Sequence, residues 1–209
     1  MTLENPENIS PELLLQAYRI GVFPMGEVID DEEVLLWFEP RYRGVIPLQE
    51  FHISKNVRRL IRKSRFYPTI NRAFTEVMEG CADRESTWIT PAIYNLYSSL
   101  NERGNAHSLE VWEDDKLIGG LYGTHLGGVF FGESMFQRAP EIHKVALYYC
   151  HNILVANGFR LWDTQFYTRH LAKFGCKSIP QARFKQLLEP ALAVNAKFRL
   201  PEDFNPRSA

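Results

Sequence analysis

The chain has 209 residues, 24 Lys and Arg against 25 Asp and Glu for a formal net charge of −1, and 45% hydrophobic residues. That length suits one large domain or a small one joined to a larger, and the composition is that of a folded globular protein. No apolar run nears the ~18 residues a membrane span needs, and a near-neutral charge excludes a nucleic-acid binder that uses its whole surface, though not a local basic patch.

The opening residues MTLENPENIS are acidic and polar, without the basic-then-apolar order of a secretory signal, so a cytoplasmic protein is expected. Cys81, Cys150 and Cys176 are far apart, odd in number and outside any CxxC. They fit buried thiols in a reducing compartment and spell out no metal site. Ser10 and Pro11 make an N-cap and first-turn pair, and Gly21 suits a left-handed stop, so a short amphipathic helix spans 11–20. GVFPM follows as an extended turn, 27–33 (EVIDDEE) as an acidic loop, and LLWFEP and YRGVIPL as short strands parted at Pro40.

From Lys55 to Arg65 the segment KNVRRLIRKSR holds six basic residues and no acidic one. On a helix Lys55, Arg58, Arg59 and Arg62 share one face, joined by Lys63, while Val57, Leu60 and Ile61 turn inward. A solvated helix face normally mixes signs, whereas an unmixed basic stripe suits phosphates. Residues 71–80 form a helix capped by Asn71 and stopped by Gly80, and Thr90 with Pro91 opens another that ends at Gly104. SLEVWED and KLIGGLYGTHLG pair through a turn at Asp114 and Asp115, and a second turn at Gly127 and Gly128 leads into GVFFGESMF, giving an antiparallel meander. Pro140 opens a long helix that ends at Gly158; FRLWDTQ is a strand, TRHLAKFG a short helix and PQARFKQLLEPAL a final one. The fold class is therefore α+β.

Chemistry gathers on two of these strands. Glu133 follows the apolar run Val129–Phe131, so it is either a solvated strand end or a carboxylate that must be paired or used. Asp163 and Gln165 alternate on FRLWDTQ and point to one face, about 6.6 Å apart by strand rise. They either address one ligand or cap a helix. If their strand neighbours that of Glu133, the three converge on a pocket walled by Phe130, Met135, Tyr148 and Tyr149. The six histidines are scattered, and His107 reads as a hydrogen-bonded strand residue.

AYRIGVFPM, LLWFEPRYRGVIPL, FHISKNVRRL, AFTEVMEGCADRESTWIT, LNERGNAHSLEVWEDDKLIGGLYG, FFGESMFQR and LWDTQ follow one another as in the bacterial leucyl/phenylalanyl-tRNA–protein transferases, which the chain resembles over roughly residues 11–188. The resemblance implies transfer of Leu or Phe, with Met as a further donor, from aminoacyl-tRNA to the α-amine of proteins that begin with Lys or Arg, marking them for degradation. It implies a small N-terminal domain (1–50) and a GNAT-like acyltransferase domain (51–209) with a mixed, largely antiparallel sheet flanked by helices, no cofactor and a monomer. It assigns Asp163 and Gln165 to activating the acceptor amine, with Glu133 holding the reacting groups. Trp88 and Tyr97, with Met25, fall in the region that grips the terminal adenosine, and Leu121, Phe130, Met135 and Leu147, beside Trp162, in the donor side-chain pocket. Lys55, Arg58, Arg59, Arg62, Lys63, Arg138 and Lys144 are the candidate phosphate contacts.

Two departures from the family stand out. Met25 stands where it usually has Trp, and WFEP, with Phe38 and Glu39, where it usually has WWSP, which removes an aromatic platform worth ~1–3 kcal/mol per stacked base. A CoA-dependent N-acetyltransferase of the same fold is the alternative, but QRAPEIHK lacks the glycines that cradle a pyrophosphate. A tRNA binder without activity is a second alternative, against which Glu133, Asp163 and Gln165 speak.

Overall fold

The computed structural model describes residues 3, 4, 6, 9–63 and 65–208, with the backbone alone at 3 and 4; Met1, Thr2, Asn5, Glu7 and Asn8 of the acidic opening stretch, Ser64 and Ala209 lie outside the described residues. The first unit holds β1 (Leu3–Glu4), α1 (Pro11–Arg19), β2 (Phe23–Ile29) and β3 (Glu32–Phe38). Ser10 caps α1 by accepting from the Leu13 amide, and Gly21 takes φ +83° at its end, as the sequence suggests. The acidic segment 27–33 is not a loop. It is the tip of a β2–β3 hairpin whose turn residues Asp30 and Asp31 take φ 51° and 65°. Two Asp residues tolerate the left-handed conformation that a tight hairpin turn requires, and they hide the turn inside an acidic run.

The rest comprises β4 (Tyr42–Val45), α2 (Lys55–Lys63), β5 (Tyr67–Ile70), α3 (Phe74–Ala82), α4 (Pro91–Glu102), β6 (Ala106–Glu113), β7 (Lys116–Leu126), β8 (Val129–Gln137), α5 (Ile142–Ala156), β9 (Leu161–Gln165), α6 (Arg169–Ala172), β10 (Lys177–Pro180) and α7 (Gln181–Leu192). Its sheet has seven strands in the order β10-β4-β9-β8-β7-β6-β5, antiparallel throughout except for the parallel pair β8–β9. Strands β5 and β10, edge strands of four residues each, are missed by sequence reasoning because they are short and broken by proline. Gly80 does not stop α3, which runs on to Ala82; Phe136 packs on the bare glycine, where a Cβ would come within 2.6 Å of its ring.

Helices cover both faces. Leu14 and Tyr18 of α1, Val77 and Met78 of α3, Ile93 and Tyr97 of α4 and Phe184 of α7 pack in one core cluster, and Val57 and Ile61 of α2 with Val145 to Cys150 of α5 pack in the other. The α+β class with a mixed, largely antiparallel sheet flanked by helices is what the chain adopts. Strand β4 lies in this seven-stranded sheet, between β10 and β9, and not with β1–β3.

One irregularity positions the site. Strands β8 and β9 pair only from Val129–Phe131 to Leu161–Asp163, after which β8 continues to Gln137 without β9 beside it. Parallel strands that part in this way leave a gap in the sheet between β8 and β9.

Candidate active site

Glu133 stands at the head of that gap, at a β-bulge. Tyr122 pairs with Ser134 and Gly123 with Gly132, so Glu133 is the extra residue of β8. Phe131 and Glu133, two residues apart, both face the layer of α1 and α4, and the extra residue reverses the alternation beyond it, so that Met135 packs in the layer of Phe130 and Phe136 in that of Phe131. Its Oε1 accepts from the Tyr18 hydroxyl at 2.5 Å and its Oε2 from Gln165 Nε2 at 2.5 Å. The Tyr18 hydroxyl also meets that of Tyr97 in a short hydrogen bond. Glu133 is half-buried at the cleft surface but enclosed by protein on its other sides. Burial raises its pKa from 4.5 to about 7, against the opposing pull of the bonds from Tyr18 and Gln165. Tyr18, Tyr97 and Tyr122 are fully buried, and that burial holds all three phenols well above their ordinary range.

Gln165 and Asp163 reach this centre by different routes. Gln165 takes φ +60°, which breaks the strand and turns its amide onto Glu133. Asp163 fixes that turn, its Oδ1 accepting the Gln165 backbone N–H at 2.8 Å. Both Asp163 oxygens also bind Arg43, with Nε at 2.9 and 3.1 Å and Nη2 at 2.6 Å, and neither residue is exposed. Arg43 Nη1 donates to the Gly21 carbonyl at 2.9 Å, and its guanidinium lies between the rings of Phe23 and Phe184, 4.5 and 4.6 Å from their centroids. Asp163 therefore touches the site only through the Gln165 backbone. The two side chains do not sit side by side on one ligand-facing surface: the Asp163 carboxylate is engaged by Arg43 and the Gln165 N–H, while the Gln165 amide reaches Glu133.

On the other side of the gap lies a cleft of about 100 Å³ lined by Leu121, Phe130, Met135, Leu147 and Trp162 together with Tyr122, Gly132, Glu133, Ser134, Thr164 and Leu171. All five residues expected to form an apolar pocket are thus brought together, with the carboxylate at their rim. Tyr148 and Tyr149 are not among them. Their hydroxyls donate to the carbonyls of Ser208 and Pro206, at 2.8 and 3.1 Å, so they turn away beneath the C-terminal segment. Cavities of this order accept one small hydrocarbon group, about 150 Å³ being enough to hold benzene.

The remaining expectations divide. Met25 and Trp88 are half-buried in adjacent segments, the Gly26 amide donating to the Trp88 carbonyl at 3.1 Å. Tyr97 is 0% exposed, its ring edge-on to Trp88 and Tyr122 at 6.4 and 5.5 Å, so it offers no face on which a base could stack. Lys55, Arg58, Arg59, Arg62 and Lys63 are all exposed on α2, and among the described residues none forms an ion pair. Lys144 is instead paired with Glu141 at 2.6 Å, and Arg138 lies over Phe136. His107 is hydrogen-bonded to Asn71 and His125, at 3.0 and 2.9 Å, as its strand position suggests. Cys81, Cys150 and Cys176 are buried thiols, and no cluster of three or more His, Cys, Asp or Glu is placed to hold a metal among the described residues.

Sequence reasoning misses Arg43 and Tyr18. Tyr18 follows Leu14 by four residues on the buried face of α1, a signal for burial but not for a carboxylate partner 115 positions on. Arg43 sits in an otherwise apolar strand core, which for an arginine implies a buried anion somewhere.

Comparison with known proteins agrees along the chain. A family model described as leucyl/phenylalanyl-tRNA protein transferase matches residues 45–189, and one described as the N-terminal domain of the same transferase matches residues 7–41. A leucyl/phenylalanyl-tRNA–protein transferase of Cereibacter sphaeroides is 49% identical over 95% of this chain and 92% of its own. One of Salinibacter ruber is 49% identical over 91% and 83%. The solved structure of L-PGS from Bacillus licheniformis covers 77% of this chain and 55% of its own, with a TM-score of 0.40 and 14% identity, a likeness too distant to bear on function. Matched across both segments and closely similar to these relatives, the chain belongs to the leucyl/phenylalanyl-tRNA–protein transferase family.

Proposed function

We propose that the chain transfers leucine or phenylalanine, and methionine through the same cleft, from aminoacyl-tRNA to the α-amine of proteins that begin with Lys or Arg, creating a signal for degradation, and that it does so as a cytoplasmic monomer. One observation carries this reading: a hydrogen-bonded carboxylate and an apolar cleft for a single side chain share one gap in the sheet.

The donor side chain enters the cleft beside Leu121, Phe130, Met135, Leu147 and Trp162, which leaves its ester carbonyl at the gap and the adenosine toward Trp88 and Met25. An aminoacyl ester is already activated, so the protein supplies position and a proton path. The acceptor nitrogen attacks the ester carbon, the new C–N bond forms, and the C–O bond to the ribose breaks. Glu133, with a pKa near 7, takes the proton that the amine must lose and hands it to the ribose oxygen as the C–O bond breaks. Tyr18 and Gln165 hold the carboxylate in place; Asp163 and Arg43 hold Gln165. The basic stripe of α2 draws in the tRNA phosphates.

A CoA-dependent reading fares worse. The N-cap of α5, where a pyrophosphate would be cradled, is Glu141, with its carboxylate on Lys144.

The test is to incubate the protein with radiolabelled Leu-tRNA or Phe-tRNA and a protein bearing N-terminal Arg. Label should become acid-stable on the acceptor. Label that stays on tRNA, or acetylation from acetyl-CoA instead, would overturn the proposal.

A further inference from the structure

Arg84 is a cation at the carboxylate end of the cleft that the machinery above leaves unused. It lies in the segment between α3 and α4 that also carries Trp88, and its Nη2 donates to Ser134 Oγ and to the Met135 carbonyl, both at 3.1 Å. Ser134 and Met135 line the aminoacyl cleft and directly follow Glu133. The side chain is exposed and, although Asp83 and Glu85 flank it in sequence, forms no ion pair among the described residues. Its Nη1 and Nε hydrogens have no protein partner among those residues, so the planar fork is held on one side by β8 and open on the other.

From these positions we infer that Arg84 binds the phosphodiester on the 5′ side of the donor's terminal adenosine, and so sets the adenosine in register with Glu133. The inference rests on the aminoacyl-tRNA reading above. A nucleoside whose ester lies at the gap and whose base lies toward Trp88 has its 5′-oxygen along the rim of the cleft. Arg84 stands on that rim, against Ser134 and Met135, and a guanidinium takes a phosphate with two parallel N–H bonds. The cationic stripe of α2 is a separate surface, packed on α5 in the other core layer. The two sets of cations then have different work: α2 attracts the body of the tRNA, and Arg84 fixes its last nucleotide.

The test compares two minimal donors, phenylalanyl-adenosine and phenylalanyl-adenosine carrying a 5′-methylphosphate, which bears the single charge of a phosphodiester. The native protein should use the phosphorylated donor with kcat/KM about ten-fold higher or more. Arg84→Ala should bring that ratio close to one, and Arg84→Lys should restore part of it, since a point charge replaces a fork. A role confined to bracing β8 would lower both donors together and leave the ratio at its native value. That outcome, or a native protein indifferent to the phosphate, overturns the inference. Failure of the native protein to transfer from either donor or from Phe-tRNA would instead sink the functional reading beneath it.

Discussion

Replacing Glu133 by Gln should make the protein both more stable and inactive, with the gain in stability confined to one range of pH. The folded-state pKa of about 7 lies some 2.5 units above the ordinary 4.5, and at about 1.36 kcal/mol per unit the charged form costs about 3 kcal/mol. Water at the cleft surface softens that penalty, so about 1–3 kcal/mol is the range expected. The sign follows from linkage. Below pH 4.5 the carboxyl is protonated in both folded and unfolded chains and imposes no cost; between 4.5 and 7 the unfolded chain gives up its proton first; above 7 the full penalty remains. Glu133→Gln removes the titration while Tyr18 can still donate to the amide oxygen and Gln165 can turn its own amide over. The difference in unfolding free energy between variant and native protein, measured by urea denaturation at half-unit steps from pH 4 to 8.5, should be near its baseline at pH 4, climb through pH 5–7 and then level off. At about 2–4 °C for each kcal/mol in a chain of this size, the plateau corresponds to a Tm gain of a few to about ten degrees. A difference that stays flat across the whole range would refute the reasoning, because it would mean that Glu133 titrates as a solvated strand end.

Five further outcomes are expected. The kcat/KM of the native enzyme should rise with pH through an apparent pKa near 7, and Gln165→Ala, which frees Glu133 Oε2 without touching the buried ion pair, should lower kcat by about ten-fold or more with little change in tRNA affinity; both are read in steady-state transfer assays. Asp163→Ala should destabilise the fold by about 3–5 kcal/mol in denaturant melts, since it strands the buried Arg43. Met135→Ala should widen the cleft and shift the ratio of Phe to Leu transfer by less than about 200-fold, the limit for a hydrophobic pocket that differs by about a methylene, measured by competition between the two charged tRNAs. Arg58→Ala with Arg62→Ala should weaken tRNA binding and make it less sensitive to salt, the slope of log K against log salt falling by about 0.9 for each phosphate left unneutralised, as filter binding at several salt concentrations would reveal.

How much can be read in advance follows the range of the interaction. Gly21, the meander turns and the buried face of α2 are local consequences of capping, turn chemistry and 3.6-residue periodicity, and they lie where the sequence puts them. The cleft is legible through the family resemblance rather than through alternation: Leu121, Phe130, Met135, Leu147 and Trp162 do line one cleft, but Phe130 and Met135 are five residues apart and only the bulge between them turns both to the same side. The β2–β3 hairpin is hidden because its left-handed turn is written in aspartates rather than glycine. Tyr97, which the resemblance puts in the adenosine region, is turned inward to Tyr18 by the packing of α4 on α1, a contact between positions 79 residues apart that no local pattern announces. The bulge at Glu133 and the left-handed turn at Gln165 have no sequence signature of their own, since both arise from how one strand is forced past its neighbours.

The place of Asp163 shows why a residue can be read correctly as part of a site and wrongly in its role. An acid and an amide two residues apart on a strand suggest two side chains presented to one ligand. Yet a carboxylate with no exposed surface, bound on both oxygens by a guanidinium that is itself clamped between two aromatic rings, has no free lone pair directed at a substrate. Its remaining partner, the Gln165 amide, holds a positive φ that a glutamine adopts only when its surroundings impose it. Stability and geometry are therefore fused in this pair. Arg43 joins the Gly21 carbonyl of the N-terminal unit, the Phe184 ring of α7 and the tip of β9, and the conformation so imposed is the one that delivers the Gln165 amide to Glu133. A conservative exchange at either end, Arg43→Lys or Asp163→Asn, should then cost fold stability and kcat together, whereas Gln165→Ala should cost kcat alone. If Asp163→Asn proved fully stable yet inactive, the carboxylate would have to be returned to the reaction itself.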